Sequence, residues 1–130
     1  MAKRFDPMKA KSAATTALDR YTEGDANGTR HALYDLFQLC VSPDFNKYTS
    51  SLLNAATQRP SKDRMTSTGI MQEVVAGVRV SLAELAKYAS KEYFTHKNIL
   101  PHLNIVRSSF QCLRDYEEEV DASFSRQQSH

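Results

Sequence analysis

Tryptophan is absent from this 130-residue sequence, and glycine, proline and cysteine are scarce, at four, four and two residues. So few glycines and prolines leave little material for tight turns. That argues against the all-β classes, in which a turn follows every short strand. Two cysteines cannot staple a disulfide scaffold; Cys40 and Cys112 each lie among apolar residues of an expected helix and read as buried free thiols. The N-terminal Met-Ala-Lys-Arg leads into an alanine-rich, lysine-containing stretch with no apolar core of a signal peptide. No run approaches the roughly 18 apolar residues of a membrane span. A cytoplasmic, intracellular protein with no membrane partner is therefore expected.

What is present looks globular: 41% of residues are hydrophobic and 25% charged. The net charge of +2 hides an asymmetry, because residues 1–114 carry a balance of +6 and residues 115–130 one of −4. Residues 1–122 are the expected single helical domain. Residues 123–130 have little to bury and form an expected frayed C-terminal tail.

Helix signals fill the space that turn signals leave. Asp6 is a good N-cap and Pro7 suits the first helical position, where a missing N–H costs nothing, so a first helix is expected over about residues 7–22. Ala10, Ala13, Ala14 and Ala17 give it strong propensity and permit close approach of a neighbour, while Met8, Leu18 and Tyr21 supply larger apolar groups. The run from Glu23 to Gly28 ends it. A second helix from about Thr29 to Val41 sets Leu33, Leu36, Phe37 and Cys40 at helical spacing. Ser42-Pro43-Asp44 then reads as cap, first-turn proline and first-turn acid of a third helix, about 43–57, with Phe45, Tyr48, Leu52 and Ala56 on one stripe. The polar, mostly basic run from Arg59 to Arg64 is expected to be a loop.

The strongest pattern comes last. Met71, Val75, Val78, Leu82, Leu85 and Ala89 alternate four and three residues apart, a heptad seam on a fourth helix capped by Ser67 or Thr68. Gly77 inside it marks a position where another helix is expected to cross closely. Asn98-Ile99-Leu100-Pro101 interrupts the run, and Pro101 is expected in the first turn of a fifth helix. Leu103, Val106, Phe110, Leu113 and Val120 continue the heptad spacing to about Ala122, with Tyr116 beside the acidic turn at Glu117. The expected fold is all-α: an antiparallel bundle of four to five helices, the last two long and heptad-patterned.

Catalytic patterns are missing. No glutamate is followed three residues later by histidine, as a di-iron bundle requires, and no two histidines stand four apart as in zinc-protease helices. His96 and His102 flank Pro101 with no cysteine or carboxylate placed to complete a metal site. Cys40 and Cys112 sit in mid-helix, away from the helix N-termini that stabilise a thiolate. Thr66-Ser67-Thr68-Gly69 reads as a cap rather than a phosphate loop. No catalytic residue, cofactor, metal or small-molecule substrate is expected, and the chain is read as no enzyme.

Two binding roles remain. Basic residues recur at Lys3, Arg4, Lys9 and Lys11, again at Arg59, Lys62 and Arg64, and at Lys87, Lys91 and Lys97, where Tyr88, Tyr93 and Phe94 interleave them. Lysines neutralise phosphates while rings stack on bases, so a nucleic-acid backbone contact in a nucleoprotein complex is the alternative reading. The favoured reading is a protein–protein interaction or assembly subunit, oligomeric or part of a larger complex. Apolar residues lie off the seams at Ile70, Val74, Val80, Ile99 and Ile105, beyond what one bundle face accommodates, and form the expected partner interface.

Overall fold

A computed structural model describes the backbone of residues 5–57, 61–89 and 96–128, and the side chains of 5–55, 69–89 and 99–120. Within these, five helices follow one another without a strand: α1 (Pro7–Thr22), α2 (Ala26–Val41), α3 (Pro43–Thr57), α4 (Ser61–Ala89) and α5 (His96–Gln128). They pack as the expected antiparallel bundle. Between α1 and α5 the antiparallel sense is explicit. Lys11 meets Gln111 and, one turn along α1, Thr15 meets Arg107, one turn back along α5.

α1 begins as its residues dictate. The Asp6 side chain accepts from the Met8 N–H at 2.9 Å, and Pro7 follows at the first helical position. Its core face is made of alanine: Ala10, Ala14 and Ala17 are fully buried, whereas Met8 is exposed and Leu18 and Tyr21 are only half-buried. Small side chains let α1 lie close against both α2 and α5. The turn that follows is a Schellman motif. Gly24 takes φ +81°, its N–H donates to Tyr21 O at 3.0 Å, and the Asp25 N–H donates to Arg20 O at 2.9 Å.

Asp25 then caps α2 by accepting from the Gly28 N–H at 2.9 Å. Helix α2 therefore starts at Ala26, one turn before the expected Thr29. Gly28 weighed as a turn residue in the sequence, but its N–H is the donor the cap requires. Leu33 and Leu36 are buried as their spacing predicts, with Phe37 and Cys40 packed at the core edge. Ser42, extended at ψ 149°, breaks the chain between α2 and α3.

The heptad seams form the centre of the molecule. Met71, Val75, Val78, Leu85 and Ala89 of α4 are buried and Leu82 is half-buried; Leu103, Val106, Phe110, Leu113, Tyr116 and Val120 of α5 are all buried. Three boundaries of these two helices differ from expectation. α4 starts at Ser61, so the Ser61–Arg64 part of the expected loop is helical and Ser67 and Thr68 lie inside the helix rather than capping it. No proline or glycine interrupts Ser61 to Thr68, and a helix anchored by its seam propagates into such a stretch at little cost. α5 starts at His96, with Pro101 in its second turn, and it continues to Gln128, past the expected end at Ala122. The proline removes one N–H near the helix start, while Ile99 and Leu103, both fully buried, hold the turns on either side against the core.

The sequence pattern overlooked Phe5, which precedes the α1 cap and is buried. Its ring lies 4.9 Å from that of Phe45, 5.2 Å from Tyr48 and 5.9 Å from Phe110, and so closes one end of the bundle with an aromatic cluster.

Candidate binding surfaces

No group of three histidine, cysteine, aspartate or glutamate side chains among the described residues could hold a metal ion. Burial pushes the Cys40 thiol up to about 12. Cys112 is also raised, first by burial and then by the Asp115 carboxylate. Neither thiol is ionised at neutral pH, so neither is poised as a nucleophile. The His102 side chain is half-buried, and that of His96 lies outside the described residues.

Of the basic residues singled out in the sequence, Lys9, Lys11 and Lys87 are described; Lys3, Arg4 and Arg59, and the side chains of Lys62, Arg64, Lys91 and Lys97, lie outside the described residues. Lys9 and Lys11 occupy the first turns of α1. Lys87, in the last turn of α4, lies toward the other end of the bundle, because Ala89 O accepts from Arg30 Nε at 3.3 Å near the turn from α1 to α2. About 16 Å of helix separates Lys11 from that end. Lys87 thus lies apart from Lys9 and Lys11. Arg79 is committed to packing: its guanidinium lies 5.5 Å from the Phe45 ring centroid and donates to Asn46 Oδ1 at 2.9 Å, tying α4 to α3.

The expected partner interface divides. Val80 is 62% exposed, Ile70 48% and Ile105 44%, so these three stand at the surface. Val74 is half-buried and packs on the core. Ile99 is a correction. It is fully buried and belongs to the α5 seam one turn before Leu103, because the helix begins at His96 rather than at Pro101. Gly77 lies where α4 meets α5, but less tightly than expected: a Cβ there would stand 4.0 Å from Ile105 Cγ2, an ordinary contact. Val80, one turn from Gly77, and Ile105 thus flank the outer side of the α4–α5 junction.

A second apolar surface escaped the sequence pattern. Where α2 turns into α3 at Ser42, an open concavity of about 510 Å³ is lined by Tyr34, Phe37, Gln38, Val41, Ser42 and Pro43. Val41 is 79% exposed and Tyr34 51%, and the Tyr34 ring meets Phe37 edge-on at 6.3 Å. None of its described lining residues carries a charge. On the opposite character lies a polar groove of about 570 Å³ between α1 and α5, which includes Lys11, Arg107 and Gln111.

Fold and surfaces together define a helical bundle with apolar patches at its rim. No protein-family model, curated protein or solved structure matches this chain. No helix among the described residues is long and apolar enough to cross a membrane.

Proposed function

We propose that this chain is a non-enzymatic helical subunit that acts by packing against another protein surface, either a second copy of itself or a different chain. One observation carries the reading: the concave elbow of Tyr34, Phe37, Val41 and Pro43, whose described lining residues carry no charge and where Tyr34 and Val41 stand exposed. Isolated apolar side chains on a surface are ordinary, but a concavity with an aromatic pair on its wall is the form in which protein anchors are received. Covering it removes apolar surface from water without stranding a charge. Ile70, Val80 and Ile105 give the molecule further apolar surface on its α4 and α5 side, as an assembly subunit with more than one neighbour requires.

Light scattering tests the self-association form. At tens of micromolar the expected mass exceeds the 14.7 kDa of one chain. Tyr34→Ser combined with Val41→Ser returns it to the monomer value while the helical circular dichroism is kept. A wild-type mass of one chain over that range removes self-association and leaves only a different partner.

A further inference from the structure

The groove between α1 and α5 is a different kind of site. Asn104, Arg107, Ser108 and Gln111 recur at i, i+3, i+4 and i+7, so they share one face of α5, beside the buried Leu103 and Phe110 stripe. Lys11 reaches this face from α1. Its Nζ donates to Gln111 Oε1 at 2.7 Å, and the Gln111 amide in turn donates to Asp115 Oδ1 at 2.9 Å. Arg107 Nε donates to Thr15 Oγ1 at 3.1 Å, and that hydroxyl donates to Lys11 O at 2.9 Å. Two half-buried cations are thereby fixed on one groove, and among the described residues both are held by neutral oxygens.

That arrangement is incomplete electrostatically. The Lys11 ammonium keeps two further donors, and the Arg107 guanidinium keeps its two terminal amino groups beyond the Nε bond. Asp115, the acid of the groove, is held one amide away from Lys11 by Gln111. An anion seated between the cations would gain charge-assisted hydrogen bonds from both and relieve their repulsion. A carboxylate has two oxygens and one charge, which one guanidinium edge satisfies. A phosphate monoester carries close to two charges on three terminal oxygens, enough for both cations and the Ser108 and Asn104 side chains as well. We infer that the α1–α5 groove binds a phosphoryl group, clamped by Lys11 and Arg107 with Ser108 and Asn104 as neutral donors.

The test is an NMR titration of the full chain with inorganic phosphate, O-phosphoserine and acetate, following the backbone amides of residues 104–111. Phosphate and phosphoserine should give saturable shifts there, and acetate should give none. Lys11→Gln and Arg107→Gln should each weaken binding about tenfold, the loss of one charge-assisted contact. Lys9→Gln removes the same charge from an exposed position on α1 and should change nothing. Tighter binding of phosphoserine assigns the groove to a phosphorylated side chain, and equal or tighter binding of inorganic phosphate assigns it to the free ion. Shifts with acetate equal to those with phosphate, or an equal loss in Lys9→Gln, would overturn the site, as would the absence of saturation.

Discussion

At the scale of single residues, the link between α1 and α2 shows how closely side-chain type is bound to position. Asp25 is both the last residue of the Schellman turn and the cap of the next helix, so its backbone N–H and its carboxylate serve different helices. A methyl group at Gly28 would meet Asp25 Cγ at 2.8 Å. Gly28→Ala should therefore lower stability by about 1 kcal/mol in denaturant unfolding, although alanine is the better helix former. Gly77→Ala should do the reverse and add roughly 0.5–1 kcal/mol, because its Cβ has room beside Ile105. Opposite signs for the same substitution in two helices follow from geometry alone. Cys40 supplies a pH signature. Its thiol is raised from 9.0 to about 12 by burial, so folding favours the protonated form. The resulting stability is intact below pH 9.0 and is lost progressively as the pH rises toward 12. Urea melts across that window should show a steeper loss for the wild type than for Cys40→Ala.

At the scale of elements, α1 and the α4–α5 pair are stabilised differently. α1 buries a face of alanines, so its limit is space. Ala14→Leu should force α1 off α2 or α5 and cost about 1–3 kcal/mol by overpacking. α4 and α5 bury large side chains, so Leu85→Ala or Phe110→Ala should leave a cavity and cost about 3–4 kcal/mol in the same assay. These elements were also the most legible in the sequence, since a seam repeated along a helix states its own burial. α1 and α3 have the boundaries expected from Asp6-Pro7 and Ser42-Pro43, where capping chemistry is local. What misled was any feature whose meaning depends on a neighbour. The polar residues after Ser61 lack periodicity yet continue a helix that its seam already anchors. Pro101 reads as a start signal but is tolerated inside α5, and that shift moved Ile99 from the expected interface into the core. Glu117 belongs to an acidic turn, yet it occupies a seam position and is buried, with Oε1 3.3 Å from Arg114 Nη1.

At the scale of the whole molecule, the described residues present an apolar elbow and a polar groove beside the exposed Ile70, Val80 and Ile105. Ile70, Val80 and Ile105 were visible in the sequence because they fall off a clear seam. The elbow was not, because Tyr34 and Val41 become neighbours of Pro43 only when Ser42 turns the chain. Nor was the groove, whose bonds join Lys11 to Gln111 and Thr15 to Arg107 across 100 and 92 residues. The central claim is that the elbow is covered by another protein. A photo-crosslinking residue placed at Val41, in the cell that makes the protein, tests it most directly, with Asp19 on the exposed side of α1 as the control position. The expected result is a discrete adduct of higher mass from position 41, lost when Tyr34 is changed to serine, and none from position 19. No adduct from position 41, or equal adducts from both positions, would contradict the claim.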